Sequence, residues 1–184
     1  MPIIIGAKQE SDFTDPIGML GDCHRRIERF LSVLKNLACE RQGAALSDQE
    51  QNALSTSLRY FREAAPKHTA DEEESLFPRV RAADPAAAQA LFERIDALES
   101  DHHTAVKLHA EVDALGQAWL SRGHLSPDKA SHLAALLEQL ASLYERHIAL
   151  EDTEVFPGAA QLLSPSDRRS IGLEMAARRG LSAK

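Results

Sequence analysis

The sequence predicts an all-α chain folded as an up-down four-helix bundle with a short extra helix at the carboxyl end. Three observations carry this reading. Hydrophobic residues make up 43% of the 184 positions but aromatic ones only 5%, which suits helices packed through Leu, Ala, Ile and Val. Helix-start signals recur at long intervals along the chain. Between them the apolar residues advance by threes and fours, the period of a helix that buries one face.

Asp15-Pro16 sets a capping side chain before a proline at the first helical position, so the first helix is expected at roughly 16–41. Ser47-Asp48-Gln49-Glu50 is a capping box that opens a second helix at roughly 48–82. Asp84-Pro85 and Ser126-Pro127 repeat the cap-proline pattern and open helices at roughly 85–122 and 127–157. Short connections make neighbours antiparallel. Ser164-Pro165 opens the extra helix, which carries Arg168, Arg169, Arg178 and Arg179; its basic face is expected to be solvated or docked on the acidic bundle. The expected organisation is an amino-terminal extension over 1–13, the bundle over 14–158, and a carboxyl-terminal helix and tail over 159–184.

A formal charge of −7 argues against a general attraction to nucleic acid or anionic lipid. The apolar start, Met1-Pro2-Ile3-Ile4-Ile5-Gly6-Ala7-Lys8, is too short for a secretory signal, and no stretch approaches the roughly 18 apolar residues of a membrane span. A cytoplasmic protein is expected. Cys23 and Cys39 fall in the first helix about 24 Å apart, beyond disulfide reach, and are expected to be free thiols.

One motif occurs twice. His68-Thr69-Ala70-Asp71-Glu72 runs on to Phe77-Pro78, and His147-Ile148-Ala149-Leu150-Glu151 runs on to Phe156-Pro157, with a constant offset of 79 (147 − 68, 156 − 77). An internal duplication is the natural source of such a register. His and Glu four apart project from one helix face as a metal-ligand pair. In the second helix the stripe Leu54, Leu58, Phe61, Ala65 continues into His68 and Glu72; in the fourth, Leu133, Leu137, Leu140, Tyr144 continues into His147 and Glu151. The apolar seam thus turns polar without changing face. Imidazoles and carboxylates converging in the interior are best satisfied by a cation.

His24 lies on the core stripe of the first helix, between Leu20 and Ile27. The third helix offers His102 or His103. Aligning His102 with His24 pairs Leu91 with Phe13, Ile95 with Ile17 and Leu98 with Leu20, whereas choosing His103 keeps the offset of 79 but would bury Asp96, Glu99 and Asp113. His102 is the expected residue. The candidate metal ligands are therefore His24, His68, Glu72, His102, His147 and Glu151. They suit two ions, with Glu72 and Glu151 as bridging candidates and water, oxo or a small ligand completing the shells. Imidazole-rich ligation favours iron over zinc, copper or manganese.

Other residues carry two readings each. Tyr144, one turn before His147, either hydrogen-bonds a metal-bound oxygen species or fills the core with its hydroxyl on a backbone partner. His109 either lines the pocket or packs at its edge. Cys23 is a small buried residue or a redox thiol. The run Asp71-Glu72-Glu73-Glu74 is expected to be mostly a solvated face from which only Glu72 turns inward, and no role is assigned to His124 or His132.

An isolated His, a His-x-x-x-Glu, another isolated His and a second His-x-x-x-Glu, each motif ending in Leu76-Phe77-Pro78 or Val155-Phe156-Pro157, resemble the hemerythrin or HHE cation-binding family over about residues 13–157. The resemblance implies an up-down hemerythrin-like bundle with a non-haem di-iron centre bridged by carboxylate and oxo or hydroxo. The chain departs from oxygen-carrying hemerythrins at Val106, where those have a second histidine, and at Glu151, which stands four residues after His147 where they have an aspartate at five. It looks more like the bacterial repair-of-iron-centres proteins and the HHE domains that sense iron or oxygen. The implied function is binding or sensing of dioxygen, nitric oxide or iron. The alternatives are an enzyme acting on peroxide, oxygen or nitric oxide, an iron donor for iron-sulfur cluster repair, and a structural bundle holding zinc or no metal.

Overall fold

The computed structural model describes residues 10–83 and 85–181, without the side chains of 85–88. The described residues contain helices and no strand. The first rod is α1 (Pro16–Arg41). The second comprises α2 (Asp48–Glu63), α3 (Ala65–Asp71), a π-helical turn (Glu72–Leu76) and α4 (Phe77–Ala82). The third is α5 (Pro85–Arg122); the fourth is α6 (Pro127–Leu150), a second π-helical turn (Glu151–Val155) and α7 (Phe156–Leu162). The extra helix is α8 (Pro165–Arg178). Both α1 and α5 pack on α2 and α6, which closes a four-rod ring.

The caps act as the sequence suggests in three places. Asp15 accepts from the Gly18 N–H, Ser47 and Glu50 form a reciprocal capping box, and Ser164 forms another with Asp167. Ser126 makes no side-chain cap, and Asp84 and residues 1–9 lie outside the described residues. At the far end of the bundle Gly43, at φ 81°, offers its carbonyl to Leu125 N–H, and a Cβ there would lie 3.0 Å from the Leu125 oxygen. Trp119 is buried beside this junction and donates its indole N–H to Ala44 O at 2.9 Å.

The two expected long helices are interrupted. Pro66 cannot donate to the preceding turn, and the second rod breaks between Glu63 and Ala65. The fourth rod continues to Leu162, past the expected end at 157. In the π turns the N–H of Phe77 reaches Glu72 O and that of Phe156 reaches Glu151 O, five residues back. Pro78 and Pro157 follow at the start of the next α-helical stretch, where a missing N–H costs least. The prolines therefore mark a widened turn and do not end the helix.

Two apolar regions flank the level of the histidines. One includes Ile27, Leu58, Phe61, Val112, Trp119, Leu137 and Leu140; the other includes Leu20, Leu76, Phe77, Ile95, Val155, Ile171 and Met175. Ile171 and Met175 belong to α8, so the extra helix closes one end of the core. At Gly172 a Cβ would strike the Phe13 carbonyl oxygen, so the close approach of α8 to the segment before α1 requires glycine. No helix among the described residues is long and apolar enough to cross a membrane.

Candidate metal centre

The four rods bring all six expected side chains to one level. His24, His68, Glu72, His102, His147 and Glu151 are all buried, with both glutamates fully enclosed. His103 is exposed, and the carboxylates that its choice would have buried stay outside: Asp96 and Glu99 meet Arg81, and Asp113 meets Arg62. Burial of carboxylates decides the helical phase of α5.

The donor atoms form two overlapping groups. His24, His68, Glu72 and Glu151 offer atoms within 4.8 Å of one another, as do His102, His147 and Glu151. His24 Nε2 lies 3.0 Å and His147 Nε2 3.2 Å from Glu151 Oε2, while His68 Nε2 and His102 Nε2 lie 3.2 and 3.4 Å from the two Glu72 oxygens. The groups are close but not aligned for hydrogen bonding: all four carboxylate oxygens of Glu72 and Glu151 are buried without a hydrogen-bond partner, as are Nε2 of His24 and His102. Buried polar atoms in such numbers are rarely left orphaned. A cation between them satisfies every one, so the donor set fits a metal.

Without a cation the cluster shares protons. Burial opposes protonation of His24, but the hydrogen bond that its Nδ1 donates to Asp152 and the nearby charge of Glu151 more than offset it and push its pKa up to about 10. Burial raises Glu72 well above the carboxylate range, and the Glu151 charge adds to this. Burial would raise Glu151 too, yet the His147 and His24 imidazoles hold it below that range. Burial, helped by the His24 charge, keeps His68 neutral. A metal ion held here would compete with protons at His24 and Glu72.

The isolated histidines are cross-braced by the opposite half of the duplication. Asp152 Oδ1 accepts from His24 Nδ1 at 2.8 Å, and the Phe156 ring stacks on His24 at 5.2 Å. Glu73 Oε1 accepts from His102 Nδ1 at 2.8 Å, and Phe77 lies parallel to His102 at 6.4 Å. Such contacts orient imidazoles so that Nε2 faces a cation. Both carboxylates follow the motif glutamate at the offset of 79 (152 − 73), and that repetition is the signal by which sequence reasoning could have found them.

Glu73 is thus no part of a solvated acidic face, and neither is Asp71. Asp71 is fully buried and holds Arg178 at 2.9 Å and Arg179 at 2.6 Å, while Glu74, largely exposed, meets Arg178 at 3.0 Å. The expectation that only Glu72 turns inward is corrected by the docking of α8, whose arginines supply counter-charges that the local sequence of the motif does not reveal. Arg79 on α4 reaches back to Glu174 at 2.7 Å.

A cavity of about 300 Å³ opens beside the four imidazoles. His109 lines it, stacked on Phe61 at 4.3 Å, and its Nε2 is 2.9 Å from the Tyr144 hydroxyl. Tyr144 therefore finds a side-chain partner on α5 in place of the backbone partner considered from sequence. Cys23 is buried, Cys39 is exposed, and both thiols are free.

Residues 15–159 match the Hemerythrin HHE cation binding domain. The chain belongs to that family. As a hemerythrin HHE protein it carries a metal site in the buried His/Glu cluster. It is also 34% identical, over 96% of each chain, to an uncharacterized protein of Haemophilus influenzae.

Proposed function

We propose that this HHE protein is a non-haem di-iron protein that binds or senses dioxygen or nitric oxide. His24, His68, Glu72 and Glu151 would hold one ion, and His102, His147 and Glu151 the other, within a cation-binding unit over residues 14–158. The observation that carries the reading is the set of four buried, partnerless carboxylate oxygens facing four imidazoles. The sharing of Glu151 by both groups supports two ions bridged by a carboxylate. Mixed imidazole and carboxylate donors suit iron. Seven donor places fall short of two octahedral shells, and the cavity gives small molecules access to what is left. The iron, when bound, supplies reversible one-electron chemistry at those open positions.

The test is metal analysis with visible spectroscopy on protein expressed with iron. Two ions per chain and a reversible spectral change on anaerobic reduction and re-exposure to oxygen are expected; less than one ion per chain overturns the reading. A second reading, turnover of peroxide, oxygen or nitric oxide at the same centre, draws support from the His109–Tyr144 pair in the cavity wall, which offers a proton donor near the site. Steady turnover by iron-loaded protein separates the two.

A further inference from the structure

The cavity beside the imidazoles is larger than a diatomic ligand needs. Its 300 Å³ corresponds to roughly ten water volumes. Most of the wall is hydrocarbon, from Ile27, Leu58, Phe61, Ala105, Val112 and Ile148. Val106, which also lines it, is 66% exposed, the most exposed large apolar side chain among the described residues. Arg62 and Asp113, paired at 3.0 Å and both part-exposed, also line the cavity, so its wall carries one ion pair beside the hydrocarbon.

Arg62 and Thr69 bring polar groups to this wall, and Tyr144 has a hydroxyl hydrogen to spare. His109 Nδ1 is buried without a partner, and an orphaned lone pair is tolerated better than an orphaned N–H. The favoured tautomer therefore carries its hydrogen on Nε2 and donates it to the Tyr144 oxygen 2.9 Å away. That leaves the Tyr144 O–H free. Burial raises the Tyr144 pKa above its usual value, so the phenol keeps this hydrogen. The Tyr144 ring centroid lies 6.2 Å from that of His147, and its hydroxyl sits at His109.

We propose that the cavity is a binding site for an organic monocarboxylate of about ten non-hydrogen atoms, its carboxylate accepting from Tyr144 beside His109 and its hydrocarbon body lying along Leu58, Phe61 and Ala105. The anionic head rests on the di-iron reading, because Glu72 and Glu151 repel an anion until cations cover them.

Octanoate is the probe, titrated calorimetrically into metal-loaded protein whose metal content has been measured. Octanoate is expected to bind at about one per chain, with acetate weaker by more than about a hundredfold. Tyr144→Phe should weaken octanoate about tenfold without changing the metal content. Ala105→Phe, which fills the cavity, should abolish binding; if that variant does not fold, Val106→Asp at the exposed rim is expected to weaken it instead. Full metal content with no octanoate binding, or binding indifferent to these substitutions, overturns the inference and leaves the di-iron reading standing. Octanoate binding in a chain that takes up no metal overturns the di-iron reading and, with it, the inference that cations over Glu72 and Glu151 admit the anion. Loss of both overturns both.

Discussion

Glu151 contributes to both groups of donor atoms while His102 contributes to one, so the two should not respond alike to substitution. Glu151→Ala is expected to leave well under one ion per chain, and His102→Ala about one, as read by metal analysis; equal losses would remove the case for a shared bridge. Asp152 and Glu73 touch no proposed ion but hold the Nδ1 atoms of His24 and His102. Asp152→Asn and Glu73→Gln should each lower metal affinity about 10–100-fold in chelator competition, with helix content unchanged. Affinities equal to the parent protein's would reduce these two carboxylates to surface charges. His24 and His102 themselves were legible from sequence, because each sits among apolar residues at helical spacing. The two carboxylates were not: they reach their histidines across the bundle, over 128 and 29 residues of chain.

At the scale of elements, the π turns and α8 shape the surroundings of Glu72. Each π turn begins at the motif glutamate and ends just before the Phe-Pro pair. The repeated Phe-Pro was visible in sequence, but a proline in a helical pattern signals a helix end, a kink or a widened turn alike. Docking of α8 covers Asp71, a buried charge that among the described residues Arg178 and Arg179 offset. Replacing both arginines by alanine should cost about 3 kcal/mol in urea unfolding, because it leaves that carboxylate buried and unpaired. A change under about 0.5 kcal/mol would place α8 outside the cooperative unit. Glu174 on α8 adds a pH dependence. Burial raises its pKa, but hydrogen bonds from Arg79 and Ser75 and the charges of Arg79 and Arg178 hold it below the usual 4.5. A carboxyl depressed in the folded state stabilises fully above its unfolded pKa and loses this as pH falls through the lower folded value. The parent protein should therefore lose stability in acid more steeply than Arg79→Ala, as pH-dependent unfolding would show; identical acid profiles would exclude the pair as the cause.

Across the whole molecule, the metal level lies between two apolar regions, one closed by Trp119 and the other by α8. Ions bound to the folded chain link the four rods, so their removal should lower the melting temperature. At free metal about a hundredfold above Kd the stabilisation is about 2.7 kcal/mol, or roughly 5–10 °C for a chain of this size. A melting temperature indifferent to chelation would favour a bundle that needs no metal.

The sequence by itself determined the helical class, the helix starts and the inward phase of the six candidate residues, since period, cap and the spacing of four are properties of neighbouring residues. Only the tertiary structure decided which carboxylate braces which imidazole, that Asp71 is buried against α8, that the Phe-Pro pairs follow widened turns, and that a cavity opens beside His109 and Tyr144. Those depend on which rods face each other and how closely, a matter of packing between residues far apart in the chain. The physical reason is range: hydrogen-bond geometry along a helix is local, whereas the counter-charge, ring or empty space that a side chain meets is supplied by another helix.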